Sequence, residues 1–145
     1  MALQTLYEID SAAHGTDDVL QRRLEFDPLS QSMENFLRRL VYGVEKYKES
    51  LDEVIHVYAP DWPIKQMAII DRNILRMAIF EAGFNPNLQM QKVVTEAVEL
   101  AKLYASDNAP RFINGVLGSI SESRTEINTL FANFNEPIFE VGEEE

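Results

Sequence analysis

The sequence predicts an all-α protein, a compact bundle of about six or seven helices in two helical subdomains. Three observations carry that expectation. Apolar residues return at i, i+3 and i+4 along most of the chain. No stretch alternates convincingly with the period of two that a strand needs. The breaks between the periodic stretches are short and marked by Pro, Gly and Asp. At 145 residues the chain is long enough for one domain with a proper core.

The first helix is expected over about residues 2–13, with Leu3, Leu6 and Tyr7 on one side. It has no Ser, Thr, Asp or Asn ahead of it to receive its free N–H groups. Gly15-Thr16-Asp17-Asp18 then breaks the pattern and caps a short helix through Leu24, and Asp27-Pro28 is a second break. From Ser30 a long helix runs to about Lys48, with Met33, Phe36, Leu37, Leu40, Val41, Val44 and Tyr47 forming a core-facing stripe. Gly43 costs that helix about 1 kcal/mol of propensity against Ala, which makes sense where another helix crosses closely. Ser50 is expected to cap a helix through Tyr58.

The stretch APDWPIKQ is the clearest punctuation, and it marks the boundary between subdomains of about 2–58 and 62–123. Beyond it, about Ile64 to Gly83 is apolar nearly all round, as in a central, buried helix. Gly83 is expected to stop it, and GFNPN to turn the chain. Met90 to Tyr104 places Val93, Ala97, Leu100, Ala101 and Tyr104 on one face. SDNAP reads as a loop and cap. The last core helix, about Pro110 to Ser121, turns Ile113, Val116, Leu117 and Ile120 inward. Residues 124–145 read as an acidic tail in which Phe131, Phe134, Ile138 and Phe139 stand among acids.

Composition excludes several classes of function. The chain has no cysteine, so disulfides, thiolate metal sites and Cys catalysis are ruled out. Glu8 and Asp10 interrupt the only early apolar stretch, unlike a signal peptide, and no run is long enough to span a membrane. A cytoplasmic protein with no membrane partner is therefore expected. The formal net charge of −11 argues against nucleic acid at face value. The charge is uneven, however: from Arg124 onward there are six acids and one base, and the rest of the chain is acidic but holds local basic groups.

Catalytic chemistry is hard to find. Glu53-Val54-Ile55-His56 fits the Glu-x-x-His pattern of di-iron bundles. A second such motif is missing, so His56 reads as a solvated or capping residue and no metal is expected. There is no phosphate-cradling glycine loop and no nucleophile elbow. The expectation is a protein that is not an enzyme and needs no cofactor.

Two places carry other information. Asp71, Arg72 and Arg76 interrupt the buried helix, and a buried charge needs a partner. Arg76 is expected to pair internally with an acid such as Glu96 or Glu99. For Asp71, internal pairing and contact with another protein stand level. In PRFINGVLGSI, Phe112 lies about 100° around the axis from Ile113, at the edge of the core face, with Arg111 before it. An aromatic beside a cation at a helix start can stack a base and hold a phosphate. The alternative is that Phe112 only closes the core edge, which spacing alone favours.

The residues also resemble a known family. ALQTLYEID, FLRRLVYGVEKYKESLDEVI, IIDRNILRMAIFEAGF and VVTEAVELAKLYASDNAPRFINGVL occur in the order and spacing of the NusB family, over about residues 2–121. The most specific part is TEAVELAK followed by RFINGVL. The resemblance implies a small two-subdomain helical protein without catalysis. It implies pairing with the small-subunit ribosomal protein that doubles as NusE, and binding of boxA RNA. Both would serve antitermination and ribosomal RNA synthesis within the transcription elongation complex.

Residue by residue, the resemblance places RNA contacts at Gln4, Arg111 and Phe112, and partner contacts at Tyr7, Asp71 and Asn108. Asn108 stands where an acid is common in the family, YASDN lacks the usual Gly after the aromatic, and Gly118 replaces a frequent Asp. Family members also carry an arginine-rich arm before the first helix, whereas here Met1 directly precedes Ala2. The uncapped helix start and the missing cations are thus one feature, with three readings open: the sequence as given is truncated, its start is assigned too late, or the protein dispenses with the arm. Without the arm, weaker phosphate contact and a shallower salt dependence are expected.

Two rival readings follow. Lacking the arm, the chain would bind its protein partner but no RNA. Alternatively, it would be the accessory domain of an RNA methyltransferase, since NusB-like domains occur fused to such enzymes. Oligomeric state is open at this level, a homodimer included.

Overall fold

A computed structural model describes residues 1–12 and 14–132. Among them are eight α-helices and no strand: α1 (Ala2–Ala12), α2 (Thr16–Phe26), α3 (Gln31–Lys46), α4 (Lys48–Tyr58), α5 (Ile69–Phe84), α6 (Met90–Tyr104), α7 (Ala109–Glu122) and α8 (Arg124–Ala132). A short 3-10 turn, Ile64–Gln66, precedes α5.

The near-continuous apolarity of α5 is explained by its place. It packs against α1, α3, α4, α6, α7 and α8, and Ile74, Leu75, Ile79 and Phe80 are buried on different sides of it. Around it, α3 inserts Leu37, Leu40, Val41 and Val44, and α7 inserts Ile113, Leu117 and Ile120. Ser30 caps α3, its hydroxyl accepting the Met33 N–H at 3.3 Å. Gly43 is where the expected close crossing occurs, because a Cβ there would overlap the Phe80 ring.

Several boundaries differ from expectation. Ser50 is not a cap: Tyr47 alone separates α3 from α4, and its buried ring fixes the corner. The central helix begins at Ile69 instead of Ile64. Met67 and Ala68 are extended, which lets Met67 bury its side chain. Local apolarity thus reads as helix where packing prefers a strand-like step. Gly83 does not stop α5, which continues through Phe84. Its small size serves packing, since a Cβ there would overlap Phe131.

The stretch from Arg124, read as tail, begins with a helix that the sequence pattern did not announce: α8 docks on the end of α5. Phe131 is 1% exposed and lies 4.8 Å from Phe84 between ring centroids. Asn128 Nδ2 donates to the carbonyls of Ala82 at 2.7 Å and Gly83 at 2.9 Å, and an Arg124 Nη2 donates to that of Asn85 at 2.8 Å. These donors satisfy carbonyls that a helix C-terminus leaves open. Phe134, Ile138 and Phe139 lie outside the described residues.

The charges on α5 also find partners other than those expected. Arg76 is 4% exposed and meets Asp52 of α4 at 2.7 Å and Asp10 of α1 at 3.1 Å, not Glu96 or Glu99. It faces α1 and α4, whereas those glutamates lie on α6. Arg72 forks onto Asp10 with contacts of 2.7 and 2.8 Å, and Asn73 donates to it at 3.0 Å. Burial alone would raise the Asp10 carboxyl; hydrogen bonds from Arg72 and Asn73 and the charges of Arg72 and Arg76 bring it down to about 2. Two apolar residues on α3, Met33 and Phe36, are mostly exposed, and Tyr104 on α6 is nearly half exposed, although the periodicity turns all three inward.

Candidate functional site

Arg111 and Phe112 stand in the first turn of α7, whose opening the sequence sets with Pro110 near the helix start. The Phe112 N–H donates to the Asn108 carbonyl at 3.3 Å, and the Asn108 side chain makes no capping bond. That leaves the Asn108 amide and the α7 N-terminus facing outward together.

The residue that sequence reasoning missed is Trp62. The two prolines around it, together with a turn closed by the Trp62 N–H on the Ala59 carbonyl at 3.1 Å, bring its ring back toward α7. It meets Phe112 edge to face, with ring centroids 5.8 Å apart and planes at 68°. Trp62 is 57% exposed. The only available signal was a lone Trp in a polar, proline-flanked loop, where an aromatic has no core to fill.

Two cavities flank this pair. One, of about 220 Å³, is bordered by Trp62, Phe112, Asp71, Asn108, Ser106 and Gln66. The other, of about 320 Å³, is bordered by Trp62, Phe112, Tyr58, Asp61 and Arg111. Gly115 also lines the second, and open space lies where its Cβ would be. Arg111 is exposed and makes no ion pair among the described residues. Burial raises the Asp71 carboxyl above its ordinary range, and its Oδ1 has no hydrogen-bond partner among the described residues. One face thus combines an aromatic pair, a free guanidinium, a helix N-terminus and a desolvated carboxylate. Such a set can stack a flat ring, neutralise a phosphate and accept a hydrogen bond.

The structure therefore brings together four of the six residues singled out in the sequence: Arg111, Phe112, Asp71 and Asn108. Gln4 and Tyr7 border neither cavity. Gln4 Nε2 donates to the Tyr104 hydroxyl at 3.3 Å, which ties α1 to the end of α6 just before the loop that carries Asn108. Tyr7, one turn further along α1, is 43% exposed. His56 lies exposed in the last turn of α4. Among the described residues no three His, Asp or Glu side chains gather as metal ligands, and no helix is long and apolar enough to cross a membrane.

Comparison with known proteins gives a consistent result. The model of the NusB family matches residues 1–122. The chain is similar to the transcription antitermination protein NusB of a Roseiflexus species, with 47% identity over 122 residues, 83% of this chain and 86% of the relative. The corresponding protein of Dehalococcoides mccartyi is 44% identical over 123 residues, 85% of this chain and 86% of the relative. Among solved structures, NusB of T. maritima superposes with a TM-score of 0.77 at 24% identity, covering 86% of this chain and 92% of that one. A chain in a crystal structure of antitermination factors NusB and NusE in complex with double-stranded RNA superposes with a TM-score of 0.76 at 24% identity, covering 84% and 91%.

Proposed function

The chain belongs to the NusB family, a non-enzymatic family of transcription antitermination factors, and from that premise we propose that it acts as an RNA-binding adaptor in the cytoplasm. It pairs with the small-subunit ribosomal protein NusE, and the pair holds boxA-like RNA within the transcription elongation complex. Arg111 and Phe112 contact RNA, with Gln4 at the α1 end of the surface. Tyr7, Asp71 and Asn108 contact the protein partner.

The observation that carries the RNA half of this reading is the Trp62–Phe112 pair beside the unpaired Arg111 at the start of α7. Aromatic faces take bases of any sequence, and a helix N-terminus with a cation favours phosphate. Asp71 and Asn108 border the same cavity as Phe112, so on this reading the RNA and protein surfaces adjoin there. The occurrence of the fold in a complex of NusB and NusE with double-stranded RNA supports the pairing at the level of the fold.

The test is fluorescence anisotropy of a labelled boxA-like RNA at one near-physiological salt concentration, with and without NusE. Phe112→Ala should weaken RNA binding by about 1–3 kcal/mol, the scale of a lost stacking contact, and leave NusE binding in place. Unchanged RNA affinity in that variant would remove Phe112 from the interface. Absence of RNA binding by the wild-type chain with NusE present would leave a protein-only module.

A further inference from the structure

One large feature lies beside the site above and shares only Gln4 and its partner Tyr104 with it. A groove of about 430 Å³ runs between the start of α1, α3 and α6, and none of its lining residues borders the two cavities around Phe112. Leu40, Met77 and Val93 contribute to its apolar lining, and Met33 and Phe36 stand along it, 58% and 57% exposed. The α3 stripe is therefore wider than its neighbours cover: Leu37 and Leu40 are buried while the residues one turn before them are bare.

The charge of the groove is as distinctive as its apolarity. Among the described residues no Lys or Arg lines it, but Glu81 and Glu96 do. Glu81 is half-buried and forms no hydrogen bond or ion pair among the described residues. Burial, and then the negative charge of Glu96, push its carboxyl above the ordinary range against the opposing charges of Arg39 and Lys92. A cation delivered to these two carboxylates would relieve both effects.

Charge decides between the possible occupants. Nucleic acid would bring phosphates to a lining whose side chains include Asp27, Glu81 and Glu96 and neither Lys nor Arg. A second copy in a two-fold contact would set the same acids face to face, on chains of net charge −11. The chain's own end, residues 133–145, has five glutamates and no basic residue. We propose that this groove docks a basic amphipathic segment of another protein, with Met33 and Phe36 gripping its apolar face and Glu81 and Glu96 receiving a Lys or Arg beside it. This is helix-in-groove recognition with an acidic anchor, and it does not depend on the RNA reading.

The probe is a fluorescein-labelled synthetic peptide of Leu and Lys at helical amphipathic spacing, titrated into the full chain, beside a matched peptide with Glu in place of Lys. The Lys peptide should bind saturably and the Glu peptide should not. Phe36→Asp should weaken binding about tenfold or more. The pair Glu81→Gln with Glu96→Gln, which keeps the apolar wall, should weaken it and flatten its salt dependence. Circular dichroism melts check that each variant is folded, and boxA-like RNA affinity should be the same in Phe36→Asp as in wild type. Peptide binding unaffected by both sets of variants would overturn the proposal. So would loss of RNA affinity in Phe36→Asp, which gives the groove to nucleic acid. A dimer in sedimentation that Phe36→Asp dissolves would give it to a second copy. Saturable, Phe36-dependent binding of a synthetic 133–145 peptide would give it to the chain's own end.

Discussion

Trp62 meets Phe112 edge to face across 5.8 Å, joining the loop before the central helix to the first turn of α7. Both rings border the two cavities on either side of the contact. Removing the Trp ring takes away that contact and one stacking surface. Trp62→Ala should therefore weaken RNA binding by about 1–3 kcal/mol. Because Trp62 is 57% exposed, the melting temperature should hardly change. Anisotropy and a thermal melt on the same sample check both, and unaltered RNA affinity would separate the aromatic pair from RNA binding.

Arg76 joins α5 to α1 and α4 through Asp10 and Asp52. Truncating it leaves two carboxylates facing a buried gap. Arg76→Ala should cost about 3–5 kcal/mol of folding stability, the range for breaking a buried pair from one side. Urea unfolding gives the number. A cost below about 1 kcal/mol would mean that the network behaves as a surface ion pair.

Asp10 links the fold to pH. Its carboxyl lies at about 2 in the fold, below the ordinary value of 3.8. Stability from such a group is fully present above its unfolded pKa and is lost as pH falls through the folded one. The wild-type chain should lose this part of its stability between about pH 4 and pH 2. Asp10→Asn should melt lower than wild type near neutrality, with the gap closing across that window. A gap that stays constant with pH would contradict the assignment.

Gly83 and Phe131 occupy one another's space so closely that a methyl group does not fit between them. Gly83→Ala would favour the helix by propensity, about 1 kcal/mol, yet overpacking costs about 1–3 kcal/mol. The variant should be destabilised, and adding Phe131→Leu should recover part of the loss. If Gly83→Ala raises the melting temperature instead, α8 does not press on α5 at this point.

Much of the fold was legible from periodicity because burial of a helix face repeats every turn. The stripe of α3, the all-round apolarity of α5 and the inward face of α7 follow that rule. The errors have a common cause as well. Met67 sits in an apolar run but buries itself from an extended backbone. Gly83 has the composition of a helix stop but is required as a small residue under a ring. Phe131 lies among acids in sequence, yet Phe84 and the open end of α5 await it. None of these partners is near in sequence, so no local pattern could report them.

The candidate site divides in the same way. Arg111 and Phe112 were visible because an aromatic and a cation at a helix start have a recognisable chemistry, Asp71 because a charge interrupts a buried helix, and the family resemblance supplied Gln4, Tyr7 and Asn108. Trp62 was visible only as punctuation. By itself the sequence determined the helical class, the family and the helix-start motif, because these depend on residue order and on spacing along one element. The tertiary structure alone decided which acids hold Arg76, that Trp62 reaches Phe112, and that part of the α3 stripe stays bare. Those outcomes depend on which helix faces meet, and that is settled by packing volume and charge pairing between residues far apart in the chain.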